Sequence, residues 1–283
     1  DSFEKDKIKL KKSSIYEALR LLGEGEVDAV IAPGNTGGTV AASHILLKKI
    51  SRRMRPGIAV HIPDKHILID AGAQTDPKPL HLLYWAIMAN MYSETYLGTK
   101  NPEIGLISIG SEPGKGNKTT REARDLIEKL GEGYNIREED FEGDSLLEFH
   151  KPPRIYVGAG AEISNPLLKL LGAAPKAIIE EVLSKVPIIR SMASTILQRF
   201  GNNMDKTRYA TGPLLGLNKI VMVCHGKSDA PTIKRAIEIT DIVIQSDLPN
   251  KLEQVIKKYE DSHSFLHVFH HHEDGESKKD SHN

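Results

Sequence analysis

Short apolar runs alternate along this chain with segments whose apolar residues recur every three or four positions. Ser14-Ile15-Tyr16-Glu17 fits a capping box, with Ser14 at the N-cap and Glu17 three residues on. Ile15, Ala18, Leu19 and Leu22 then share one helical face, and Gly23 is placed to end the helix. Residues 28–32 (DAVIA) read as a short buried strand, 33–38 (PGNTGG) as a turn, and 39–50 as a second helix. Two strands are expected at 57–62 and 67–71, and a long helix over 79–97. A strand at 105–109 precedes a helix over 118–130, and a strand at 154–157 precedes a helix that starts at 166–171. A strand at 220–224 is followed by helices over 230–243 and 248–259. Residues 131–153 are acidic and irregular and read as a connection.

Apolar runs of four to six residues between helical patterns predict an α/β fold. The sheet is expected to be mainly parallel, with helices on both faces. Residues 1–260 read as a single domain. Residues 261–283, rich in charge, Ser and His, read as a disordered tail.

Composition narrows the function. Lys plus Arg and Asp plus Glu are equal at 38 each, so no global field draws the chain to nucleic acid, and none is expected as a partner. Cys224 is the single cysteine, which excludes an internal disulfide and suits a reducing compartment. No apolar run reaches the roughly 18 residues of a membrane span, and no targeting segment is recognisable. The chain opens at Asp1 without an initiator Met, so a trimmed N-terminus is expected.

In open α/β sheets ligands sit beyond the carboxyl ends of strands. Four loops are expected there: 34–38, 70–78, 110–117 and 225–228. Glycine lets backbone amides approach an anion, and a helix N-terminus adds partial positive charge. Lys115 adds a point charge to the third loop, and Asn117 can cap the helix after it. Glu112 repels an anion unless Lys115 or Lys78 pairs with it. A tight connection is the alternative reading. Neither a Walker A sequence nor a GxGxxG after a strand is present. Asp70 either binds a hydroxyl or orients Lys78, or it caps a helix or turn. Cys224 and His225 are neighbours on a strand and face opposite ways, so they form no couple. Cys224 reads as a core thiol and His225 as the better site candidate. The absence of a Gly-x-Ser-x-Gly elbow argues against a serine hydrolase. His263, His267 and His271 have helical spacing, but a solvated tail is the expectation, with no metal or cofactor. Residues 177–200 carry two apolar stripes broken at Pro187, a pattern for a helical hairpin that packs on the core, a dimer partner or a lipid surface.

Several segments in order resemble the phosphate acyltransferases of bacterial phospholipid synthesis, the PlsX family. They are "DAVIAPGNTGG", "LIDAGAQTDPKPLHLL", "GLISIGSEPGKGN", "YATGPLLGLN" and "VCHGKSDA". The resemblance runs from about residue 13 to 239. It implies an isocitrate-dehydrogenase-like α/β fold, a homodimer, and acyl transfer from acyl carrier protein to inorganic phosphate to give acyl phosphate. It also implies a cytoplasmic enzyme that contacts the membrane surface through a hairpin at 177–200. On that basis Lys115, Gly116 and Asn117, with Asn35 and Thr36, are assigned to the anion or the thioester carbonyl. Lys78 adds charge for the same anion, Asp70 and Glu112 position these groups, and His225 is a proton donor or hydrogen-bond partner. Asn165 matches the Asn of a further family segment, otherwise altered here. The family's N-terminal strand and Asp-Ala-Met-Gly-Gly-Asp loop have no counterpart, which implies a truncated or divergent member. Two alternatives stay open: a non-catalytic relative that keeps the dimer and its contacts, and an acetyltransferase-like enzyme that uses a coenzyme A thioester.

Overall fold

In the computed structural model, which describes residues 11–62, 65–107, 118–130, 133–137, 154–158 and 211–262, eight strands lie in two four-stranded sheets. The strands are β1 (Ala29–Gly34), β2 (Gly57–Ile58), β3 (Val60–Ile62), β4 (His66–Ile69), β5 (Glu103–Leu106), β6 (Arg154–Val157), β7 (Thr211–Leu215) and β8 (Ile220–His225). The first sheet has the order β1-β8-β7-β2 and the second β3-β4-β6-β5. Only Ala59 separates β2 from β3, and its amide donates to the Pro213 carbonyl (3.0 Å). One stretch of chain therefore belongs to both sheets and forms the seam between them.

The α/β class is as expected, and the pairing is mixed. β1 and β8 are parallel, as are β4 with β6 and β5 with β6. β2 with β7, β3 with β4, and β7 with β8 are antiparallel. β2 thus runs with β1 and β8, and β3 continues β2. β4, β5 and β6 run against β3. The sheet direction reverses at the seam, which decides where the loops end up.

Six described helices cover the sheets: α1 (Ser14–Glu24), α2 (Thr36–Leu46), α3 (Pro79–Tyr92), α4 (Lys118–Leu130), α5 (Ala230–Gln245) and α6 (Leu248–Glu260). β8 shows why helices are needed on both faces. Val221 and Val223 pack with Leu19, Leu22 and Val40 of α1 and α2, while Met222 and Cys224 pack with α3 and Ala236 and Ile239 of α5. A strand apolar at every position has no wet face. α3 is apolar around its whole circumference, and Leu83, Tyr84, Trp85 and Met88 are fully buried, as befits a core helix. A π-helical turn, Ser93–Leu97, continues it.

Several boundaries move for identifiable reasons. Ser13, not Ser14, caps α1, its hydroxyl accepting from the Tyr16 amide, and the helix passes Gly23 to end at Gly25 in the left-handed conformation (φ 81°). α2 begins at Thr36 rather than 39, because Asn35 caps it and the glycines take its first turn. It ends at Leu46, because residues 47–56 form a loop held to the sheet by Ile50 N–H to Gly216 O (3.0 Å) and the Lys49–Leu217 bridge. Glu260 at the end of α6 closes this side. It accepts from the Ser51 hydroxyl (2.5 Å) and the Tyr84 hydroxyl, and faces Arg53 (3.7 Å). Burial, then the Glu260 contact, raises the Tyr84 phenol above its ordinary pKa. The helix expected from 166, the hairpin at 177–200 and the His-rich tail lie outside the described residues.

His61 on β3 adds a pH dependence. Its ring is parallel to Tyr96 (centroids 4.7 Å apart) and Tyr92 (5.4 Å), and its Nε2 is buried with no hydrogen-bond partner among the described residues. Burial, with a smaller push from Arg235, lowers its pKa from 6.5 to about 3. Above pH 6.5 both folded and unfolded chains hold this ring neutral. As pH falls below 6.5 the unfolded chain takes up a proton that the folded chain refuses. Stability should therefore drop by about 2 kcal/mol between pH 7 and pH 5 from this residue. Urea midpoints at the two pH values should show the drop, and His61→Phe should remove this share of it, leaving the part that His81 contributes.

Candidate active site

The register brings together the first and fourth expected loops. Gly34 at the end of β1 lies opposite His225 at the end of β8, in a parallel pair, so both chains leave the same edge. Gly226 passes close to Gly34; a Cβ there would stand 3.4 Å from the Gly34 carbonyl oxygen. Asn35 is the N-cap of α2. Its Oδ1 accepts from the Gly38 amide (2.8 Å), and its carbonyl accepts from the Thr39 amide (2.9 Å) and hydroxyl (3.0 Å). The amides of Thr36 and Gly37, the first two of the helix, have no acceptor among the described residues. Gly37 is exposed, so these amides can be reached. His225 is also exposed, and its Nδ1 accepts from the Lys227 amide (3.1 Å). That bond assigns the proton of the neutral ring to Nε2. Cys224 points the other way, fully buried, with its sulfur 3.2 Å from the Thr211 hydroxyl. Burial, the larger effect, raises its thiol pKa, while the Thr211 contact opposes it.

A second group forms around the loop after β4. Asp70 is fully buried, and its carboxylate accepts four backbone amides: Ile58 (2.8 Å), Gly72 (3.2 Å) and Ala73 (2.9 Å) on Oδ1, and Gln74 (2.8 Å) on Oδ2. Burial pushes its carboxyl pKa up, and the four donors pull the other way. The carboxylate caps a turn and ties it to the seam. Gln74 donates to the Pro56 carbonyl (3.2 Å), and Arg55 donates to the Asp76 carbonyl (3.4 Å). Lys78 is the N-cap of α3, exposed at its side chain; its amide donates to His81 Nδ1 (3.0 Å). Burial, then Arg55, Lys78 and Lys49, lower the His81 pKa to about 4. Burial, then Lys49 and Arg55, lower that of His44.

The two groups stand at opposite ends of the seam. Asp70 sits beside Ile58, where the seam begins, while Thr211, beside Cys224 and one step from His225, lies level with its far part. No hydrogen bond or ion pair among the described residues joins Asn35 or His225 to Asp70 or Lys78. The chain leaving β5 departs from the Asp70 edge, since Leu106, Val157 and Ile69 share one row and Ile107 donates to the Val157 carbonyl (2.8 Å). Parallel β1 and β8 bring the first and fourth loops to one edge, while the second loop follows β4, which runs against β3; the third loop lies outside the described residues. Lys115, Gly116, Asn117, Glu112 and Asn165 lie outside the described residues. The basic run Lys48, Lys49, Arg52, Arg53 and Arg55 becomes one loop because the helix ends at Leu46, short of the expected residue 50.

Sequence comparisons decide the family, and solved structures bear on the fold. The model of a family described as fatty acid synthesis protein matches residues 3–251. The phosphate acyltransferase of Aquifex aeolicus (strain VF5) is 34% identical over 263 residues, 88% of this chain and 75% of that protein. That of Pelotomaculum thermopropionicum is also 34% identical, over 88% of this chain and 74% of the relative. The chain belongs to the phosphate acyltransferase family. Members of this family are acyltransferases. Among solved structures, a phosphotransacetylase from Streptococcus pyogenes superposes with a TM-score of 0.53 at 17% identity, covering 86% of this chain and 69% of that one. A branched-chain phosphotransacylase from Enterococcus faecalis V583 gives 0.52 at 14% identity, over 81% and 78%. These two likenesses establish a shared α/β fold. Among the described residues no helix is long and apolar enough to cross a membrane, and no cluster of His, Cys, Asp and Glu could hold a metal ion.

Proposed function

We propose that this family member transfers a fatty acyl group from acyl carrier protein to inorganic phosphate, and that the acyl phosphate formed feeds phospholipid synthesis. The observation that carries the reading is the pairing of Gly34 with His225. It sets two open amides at the start of α2 beside an imidazole that carries its proton on Nε2. Phosphate near neutral pH is partly a dianion and serves as the nucleophile itself. One of its oxygens attacks the thioester carbonyl carbon, the C–S bond breaks, and the thiolate leaves and takes a proton. The products are acyl phosphate and the free carrier thiol. The chain has to align the reactants and stabilise the oxyanion that develops on the carbonyl. The amides of Thr36 and Gly37, with the Asn35 cap fixing their direction, suit the oxyanion. His225 suits proton delivery to the departing sulfur.

Lys115, Gly116 and Asn117 hold phosphate in this reading. Asp70 and Glu112 position the loops, and Lys78 and Asn165 bind substrate. The enzyme works as a cytoplasmic homodimer, with residues 177–200 touching the membrane surface. The test is phosphate-dependent loss of acyl groups from acyl carrier protein, with hydroxylamine trapping of acyl phosphate, repeated with acyl-coenzyme A. Activity with coenzyme A thioesters alone transfers the chain to the acetyltransferase-like alternative. No turnover of either donor makes it a non-catalytic relative. Lys115→Ala should lower kcat/KM by about 10- to 100-fold, the worth of one charge-assisted contact to an anion. Full activity in that variant removes Lys115 from the site.

A further inference from the structure

The loop after α2 carries five cations in eight residues, Lys48, Lys49, Arg52, Arg53 and Arg55, and the fold adds Lys78 through the Arg55 contact with the Asp76 carbonyl. In a chain with no net charge this is a local excess. Two of the six have carboxylates: Lys48 faces Glu253 (3.8 Å) and Arg53 faces Glu260 (3.7 Å). Lys49, Arg52, Arg55 and Lys78 have no carboxylate partner among the described residues. The excess is felt locally, since Lys49 and Arg55 both disfavour a proton on His44 and on His81. Beside the cations, the outer face of the last turns of α2 presents Ala41, His44 and Ile45, the last of them 54% exposed.

We propose that this face docks an acidic partner protein, the carrier that delivers the acyl thioester. The inference rests on the carrier-dependent reaction above and locates its donor. An exposed apolar residue next to several cations without carboxylate partners suits a protein docking surface. Several cations are also fixed in place. Lys49 donates to the Arg52 (3.3 Å) and Met54 (3.2 Å) carbonyls, Arg55 donates to Asp76, and Arg53 is set against Glu260. A fixed array suits a partner with its own fixed carboxylates; attraction to an anionic lipid surface needs only mobile basic residues. The patch is continuous with the Asp70 loop, because Gln74 and Arg55 bind across the join. A carrier seated here adjoins a loop assigned to substrate.

Arg52→Glu and Arg55→Glu, singly and together in the whole chain, test the proposal, with Lys234→Glu on exposed α5 as a control of equal charge change. The double variant should raise KM for acyl carrier protein about tenfold, leave kcat and acyl-coenzyme A kinetics unchanged, and weaken the salt dependence of carrier use. An unchanged KM overturns the proposal, and so does an equal loss with both donors, which would mean damage to the catalytic groups. If the chain turns over no donor, the acyl-transfer reading fails by itself. Direct titration with acyl carrier protein still reports the surface, and equal affinity of parent and double variant overturns it. Loss of binding to vesicles containing anionic lipid, with carrier affinity retained, overturns it in favour of a lipid contact.

Discussion

Gly212→Ala should unfold the chain or lower its stability by about 4 kcal/mol or more, at the upper end of what single substitutions do. A Cβ on Gly212 would lie 2.1 Å from the Ala59 carbonyl oxygen and 2.8 Å from its carbon. Both obstacles are backbone, so no rotamer change relieves them. Ala59 is the residue where β2 becomes β3, and its amide bonds Pro213 next to the substituted position. Relief would require β7 to part from the seam, which breaks that bond and the Ile58–Leu214 pairing. The two sheets would lose the strand they share. Gly226→Ala is the matched control, because its nearest neighbour stands at an ordinary 3.4 Å. It should cost under about 1 kcal/mol. Thermal melts of the two variants provide the check. A Gly212→Ala chain that melts with the parent would mean that the seam is registered otherwise.

The same seam explains what could and could not be read from the sequence. α4 and β6 have their expected bounds, since each is a clean period bounded by breakers. α3 starts at Pro79 as expected, from a proline in the first turn and a long apolar run. β7 was not foreseen. Its sequence, TGPLL, holds a glycine and a proline, which ordinarily demote a segment to an edge or a loop. Here Pro213 is central and still satisfied, because its carbonyl accepts from Ala59, and Gly212 is required where the seam presses closest. With β7 invisible, so was the reversal of strand direction between the two sheets. Asn35 and His225 were legible as strand-end residues, and they meet because β1 and β8 are adjacent and parallel. The four amides on Asp70 were legible only as one of two possibilities. Turn caps and substrate ligands use the same residue after a strand, and the distant donor from Ile58 leaves no local trace.

Removal of the Asp70 carboxylate should be nearly as costly as closure of the seam. Asp70→Ala deprives four amides of their acceptor at once, and two of the residues concerned, Ile58 and Gln74, are buried. A buried N–H left without a partner costs about 1–3 kcal/mol, so the loss should reach about 4 kcal/mol. Asp70→Asn keeps one acceptor. It can serve the three amides on the Oδ1 side, but its NH2 group then faces the Gln74 amide, donor against donor, and the loss should be about 2 kcal/mol. The order parent, Asn, Ala in urea midpoints is the signature of a carboxylate that holds backbone. A residue that only touched substrate would leave all three midpoints together. Function should follow structure: the loop carries Lys78 and the Asp76 carbonyl that holds Arg55, so the Asn variant, still folded, should use acyl carrier protein less well. Equal stability of the three chains would return Asp70 to the role of a substrate ligand and detach the loop from the seam.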